Sequence, residues 1–322
     1  MAFVKPFAVA LLAVCAATSA GHAQNYPSRN ITAIIPFAAG NANDITARIV
    51  FEQLSKQLGQ PIVIEGRPGA GGTIGVGQAA RAAPDGHTIL FHSATFSASY
   101  VTHKTLPYDT LNDFIAVAPV GISPSVLVAA PSKGYKTAAD LIAAAKAKPG
   151  ELNFASAGIG AASHLAAEKF IAAAGIKAQH IPFKGPVEAL TEVMAGRIDF
   201  YFLPIAAAMP QITQGTVTVL AVSSDKRAPQ LPNIPTTAEI GLPAAAYAFW
   251  NGTFVPAKTP REIVERLHAE HAKAVALPEV KERLAKMGIE PLVMSQPEFD
   301  KYFRADVADT EKLAKTAGIQ KQ

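Results

Sequence analysis

Cysteine is nearly absent from this chain. The sole one, Cys15, sits inside the apolar run Phe7 to Ala17, behind Lys5 and ahead of the small-residue pattern Gly21-His22-Ala23. That order is an export leader: a positive start, an apolar stretch too short to span a membrane, and a cleavage site expected after Ala23. Removing residues 1–23 removes the cysteine, which excludes disulfides, a thiol nucleophile and thiolate metal ligands. Val14 stands where lipid attachment to Cys15 would want a small residue. The expected destination is the periplasm.

Charge is scarce as well. Only 17% of the residues are charged, against roughly a quarter in an average soluble protein. Lys and Arg number 29 and Asp and Glu 25, a net charge of +4. No basic run and no aromatic-basic interleaving occurs, so a nucleic-acid partner is excluded. Beyond the leader no apolar stretch reaches the 18 or so residues of a membrane span. With 49% apolar residues the chain is not disordered, and 322 residues suffice for two domains.

Catalytic motifs are missing too. Neither Ser93 nor Ser156 lies in G-x-S-x-G. The stretch Gly69 to Gly75 fails G-x-G-x-x-G, because Ile74 holds the third glycine position, and no Gly-Lys-Ser/Thr follows it. No close acidic pair and no tyrosine cluster appears. His268 and His271 are spaced i,i+3, but no third metal ligand lies nearby, so a solvated helix face is expected. These absences point to a binding protein that is not an enzyme and needs no cofactor or metal. An enzyme using cleft carboxylates lacks its acid pair. A regulator's effector domain lacks a DNA-binding motif where the leader stands.

What is present is a steady alternation of strands and helices. Strands are expected at 31–35, 61–65, 88–91, 116–120, 126–130, 152–155, 180–183, 198–202 and 217–222, with helices between them, which is α/β order. Asp44 is expected to cap a helix carrying Ala47, Phe51, Leu54 and Leu58 and closed by Gly59. Thr137 to Asp140, Thr259 to Glu262 and Ser295 to Glu298 have capping-box spacing. Two loops lead from a strand into a helix through small residues: Phe37-Ala38-Ala39-Gly40-Asn41-Ala42-Asn43-Asp44, and Ser156-Ala157-Gly158-Ile159-Gly160-Ala161-Ala162-Ser163. Free N–H groups at helix starts favour anions, so two such loops in different halves of the chain can clamp one carboxylate without any arginine.

At these residues the chain resembles the Bug-type periplasmic receptors of the tripartite tricarboxylate transporter family. The likeness covers residues 25–322 through Tyr26 to Arg29, Pro36 to Gly40 with Asp44, Leu58 to Pro61, Arg67 to Gly72, Ala83 to Gly86, Leu106 to Asp109, Asp113-Phe114, Ser163 to Leu165, Lys184-Gly185, Trp250 with Gly252, and Thr259-Pro260. It implies a type II periplasmic-binding-protein fold. Residues 24–123 and 248–322 would form one α/β lobe and residues 124–247 the other, with crossings near 123–125 and 246–248. It further implies a monomer that closes on a small carboxylated solute and hands it to the permease subunits of a tripartite transporter. The implied contacts are Phe37 to Asn41, Asn43 and Asp44, then Ser93, Thr95 and Phe96. In the other lobe they are Ser156, Ala157, Gly158, Ala161, Ala162, Ser163, Phe183, Lys184 and Leu203. Four positions depart from the family pattern. Asn41 replaces a glycine, Ala161 and Ala162 replace hydroxyl residues, Phe183 replaces a tyrosine and Leu203 an aspartate. With those acceptors gone, the expected solute lacks an α-ammonium group: an aliphatic dicarboxylate, or an aromatic carboxylate such as a phthalate-like diacid, flanked by Phe37, Phe96 and Phe183.

Overall fold

The computed structural model describes residues 26–316, 319 and 321; the expected leader and its cleavage point lie outside them. Strands β1 (Ile31–Ile35), β2 (Ile62–Gly66), β3 (Thr88–Ser93), β4 (Phe114–Ala129) and β9 (Ala248–Pro256) build one half in the order β2-β1-β3-β9-β4, and β10 (Glu290–Pro291) pairs with β4. In the other half the distal part of β4 pairs with β7 (Phe200–Pro204) and β8 (Thr218–Ser223), and β5 (Asn153–Ser156) joins β7 to β6 (Gln179–Pro182). Seven of the nine expected strands correspond to observed ones within two residues at each end. The pair at 116–120 and 126–130 is a single strand. β9 was not foreseen, and it pairs antiparallel with both β3 and β4.

Helices α1 (Ala42–Leu58), α2 (Thr73–Ala80), α3 (Thr95–Thr102), α8 (Arg261–Ala276), α9 (Pro278–Lys286) and α10 (Gln296–Thr316) cover the first sheet, while α4 (Ala138–Ala147), α5 (Ala162–Ala174), α6 (Pro186–Met194) and α7 (Ile205–Gln214) cover the second. Each sheet has apolar residues buried on both faces, so there are four clusters. Ile31, Val50 and Leu267 mark one and Leu90, Phe96 and Phe254 its opposite; Phe154 with Phe170, and Val126 with Tyr201, mark the two of the other half.

The cap of α1 is Asn41, not Asp44. The Asn41 side-chain oxygen accepts from the N–H groups of Asn43 and Asp44 at 2.8 and 3.3 Å, which places Asp44 in the first turn. Gly59, at φ 70°, closes the helix as expected. Thr137 and Asp140 form the expected reciprocal box. The box expected at Thr259 does not form: Pro260 holds the cap position of α8, and the buried Thr259 hydroxyl has no partner among the described residues. At Ser295 only the return half exists, Glu298 accepting from both the amide and the hydroxyl. His268 and His271 do not form a solvated face. His268 bonds to the Val117 carbonyl at 2.9 Å, and His271 is fully buried against Phe51 and the Thr253 hydroxyl.

The two halves meet along the Ser125 and Tyr247 crossing, where Ser125 donates to the Tyr247 carbonyl through N–H and hydroxyl. They meet again across the front. The Ala162 amide donates to Thr95 Oγ1 at 3.1 Å, and Gly158 to Gly160 pack on Gly71, Thr102 and His103.

Candidate functional site

A cavity of about 40 Å³ lies between the halves. Its first wall is the loop after β1 (Phe37, Asn41, Ala42, Asn43), the end of β3 (Ser93, Thr95) and Phe249 of β9. Its second wall is Ala157, Ser163, Pro186, Tyr201, Pro204 and Ala207. These residues cluster because β1, β3, β5 and β7 all end here, which is where open α/β sheets bind ligands. These strands feed α1, α3, α5 and α7, and β6 feeds α6, so all five helices begin within a residue or so of the cavity wall. Five positive helix ends thus surround a cavity without one charged lining residue.

The polar groups are neutral and held from behind. Asn251 donates from Nδ2 to Asn43 Oδ1 at 2.7 Å, and Asn43 Nδ2 approaches Ser93 Oγ at 3.4 Å. Ser163 Oγ accepts from the Ala157 amide at 3.0 Å and interacts with the Tyr201 phenol, whose pKa burial pushes well up, so Tyr201 stays a neutral donor. Below Phe37 and Ser93 lies His92, stacked on Phe96 and driven by burial down to a pKa of about 3, hence neutral.

In the first loop the Gly40 amide donates to the Asp44 carboxylate at 2.9 Å, and Arg48 pairs with Asp44 at 3.0 Å. The amides of Ala38, Ala39, Asn41 and Ala42 have no partner among the described residues. The second loop differs from expectation, because its amides are largely engaged: Ala157 to Ser163, Gly158 to Ser156, Gly160 to His164, Ala161 to the Gly158 carbonyl and Ala162 to Thr95. The two loops are therefore unequal, and more of the free donors belong to the first.

Of the expected site residues, Phe37, Asn41, Asn43, Ser93, Thr95, Ala157 and Ser163 line the cavity. Gly40 and Leu203 line an adjoining groove instead. Gly158, Phe183 and Lys184 line a separate open groove beside His103. Ala38 and Ala39 are exposed on the outside of their loop, and Asp44 is buried behind it. Ala161 and Ala162 are buried at the start of α5, and Ser156 is tied to His180 Nε2 at 2.6 Å. Phe96 does not flank the cavity: it is core, packed against Phe114, Phe254 and Phe303. Phe183 faces the separate groove, so of the three phenylalanines only Phe37 remains.

Ala42, Pro186, Tyr201, Pro204, Ala207 and Phe249 were missed. A strand-end rule applied to the expected strand at 198–202 points to 201–204, and a proline at the first helical position, as Pro186 is in α6, is a start signal readable from sequence.

Residues 46–319 match the family model described as the tripartite tricarboxylate transporter family receptor. The chain belongs to that family. Protein BugT of Bordetella pertussis is 33% identical over 93% of this chain and 91% of its own. A protein of R. palustris solved with adipate superposes with a TM-score of 0.89 at 32% identity, covering 92% of this chain and all of that one. MatC of Rhodopseudomonas palustris, solved with bound malate, gives 0.84 at 30% identity over 89% and 99%. The chain is thus a periplasmic solute-binding receptor of the family, with the fold of its neighbours.

Proposed function

We propose that this receptor captures a small carboxylated solute, an aliphatic dicarboxylate or an aromatic carboxylate, in the cavity between its halves and delivers it to a tripartite membrane permease. The observation that carries this reading is the convergence of five helix starts on a cavity with no charged wall. An anion there meets positive dipole ends and neutral N–H and O–H donors; a cation meets no carboxylate. The related proteins solved with adipate and malate support the same ligand class. Asp44, the nearest carboxylate, is engaged by Gly40 and Arg48, which argues against an α-ammonium group.

The proposed lobes are 24–123 with 248–322, and 124–247, turning about the paired segments at 123–125 and 246–248. Their support is the division of the apolar clusters. The contacts made by Ala162 and Gly160 belong to the closed form. The protein works as a monomer after removal of its leader.

The test is thermal unfolding with a panel of carboxylic acids, amino acids, sugars and metal ions. A bound acid at a hundredfold excess over its Kd adds about 2.7 kcal/mol of stability. Stabilisation by sugars or metals and by no acid refutes capture of carboxylates, and a preference for glutamate over the corresponding deaminated diacid refutes the exclusion of ammonium.

A further inference from the structure

The cavity does not end at its own walls. Asn41, Pro186 and Ala207 are shared with a neighbouring groove of about 160 Å³. Its floor and sides are Ile45 of α1, Val187, Leu190 and Met194 of α6, and Leu203 of β7. No charged side chain lines it, and its polar members are neutral. Val187 is 52% exposed, one of the few large apolar side chains so placed among the described residues.

Size decides what the two spaces can hold. At roughly 30 Å³ per water, the cavity of about 40 Å³ takes one or two waters, about the room of one carboxylate head. Anything attached to that head must leave the cavity, and the shared residues open onto an apolar wall. A second carboxylate placed there would face Leu190, Met194 and Leu203 with only the neutral Asn41, Thr191 and Gln211 beside it and no cation, and a charge so placed against an apolar wall is costly. A hydrocarbon chain loses nothing there and gains from being removed from water.

We infer that the solute carries one carboxylate and an apolar tail, with the head at the cavity and the tail in the groove between α1, α6 and β7. The inference rests on carboxylate capture at this cavity and departs from the dicarboxylate proposed above: it commits to an acid with one charged end. Leu203 is then a specificity residue, because an acidic side chain at that position would repel the head and leave its own charge against the tail.

The experiment is calorimetric titration of the receptor with straight-chain acids from butanoate to octanoate, and with adipate beside hexanoate. Affinity rises about fourfold per added methylene, the factor expected for burying one CH₂, and hexanoate binds at least tenfold tighter than adipate. Val187→Glu, at an exposed position that leaves the fold intact, weakens octanoate at least tenfold more than butanoate. If no acid of either series binds while another acid of the thermal panel does, the tail site falls and capture stands; if no acid of the panel binds, capture of carboxylates itself falls. If acids bind with no dependence on chain length, or adipate equals or exceeds hexanoate, the tail site falls while capture stands. A Val187→Glu effect equal for short and long acids likewise removes the groove as the seat of the tail.

Discussion

Gly160 offers a way to separate closure from contact with the solute. It sits at φ 74° in the second loop and faces the first half of the protein, where a Cβ would overlap the Thr102 hydroxyl and come within 3.0 Å of His103 Cε1. Thr102 Oγ1 is bonded to the Ala98 carbonyl at 2.8 Å, so turning it aside breaks a buried hydrogen bond. In Gly160→Ala two costs arise. The left-handed backbone strains any L residue by about 1–2 kcal/mol whether the halves are open or closed. On the closure proposed above, the overlap exists only when they are closed and, as overpacking, costs about 2 kcal/mol. Only the second alters the closing equilibrium, so apparent affinity falls about thirtyfold. Gly134→Ala is the control. Its φ is 76°, yet a Cβ there has nothing within 4 Å, so it carries the strain without the overlap. Both variants are titrated by calorimetry with the acid that most stabilises the wild type. Equal affinities for the two would refute the assignment of this contact to the bound, closed form.

Tyr201→Phe removes one neutral donor from the cavity and is expected to weaken acid binding three- to tenfold with little change in melting temperature; unchanged affinity would take Tyr201 out of the site. Burial holds His92 and His271 down to about 3, below their unfolded value of about 6.5. Their contribution is full above pH 6.5 and is lost as pH falls toward 3, at about 3 kcal/mol per unit for the pair; a urea midpoint that stays constant from pH 7 to 5 contradicts this. Asp306 has the opposite sign. Burial raises its carboxyl while it accepts from Trp250 Nε1 at 2.8 Å, so its contribution fades as pH rises through the folded value. Asp306→Asn should therefore raise the urea midpoint at pH 8 and leave it unchanged at pH 4; no gain at pH 8 would count against it.

Much of the fold was legible because local signals agreed with tertiary structure. The run at 31–35 is buried on both faces, and Gly59 closes its helix at positive φ where expected. β9 escaped because Asn251-Gly252 in its middle reads as a turn and the segment lacks clean alternation. It is a strand because β3 and β4 pair with it from both sides, a condition no local window contains. The same limit applies to the site. The first loop was identifiable from its small residues at a helix start. Tyr201 and Phe249 reach the cavity only because distant strand ends converge. Asn41 took the cap from Asp44 because both can accept from first-turn amides, and backbone geometry rather than composition chose between them. The second loop is as rich in small residues as the first, yet Ser156, Ser163 and Thr95 accept from its amides.

The pairing of β3 with β9 also shapes how the chain must fold. Leu90 to Ser93 find their partners in Asn251 to Phe254, which are made only after the whole second half. A chain emerging from its N-terminus therefore carries the sequence Thr-Ile-Leu-Phe-His-Ser as an unpaired sheet edge, apolar and nearly uncharged, while residues 94–247 are still arriving. Such an edge invites pairing with other chains. The contiguous second half can condense first, whereas fragments that stop short of residue 248 should aggregate through β3.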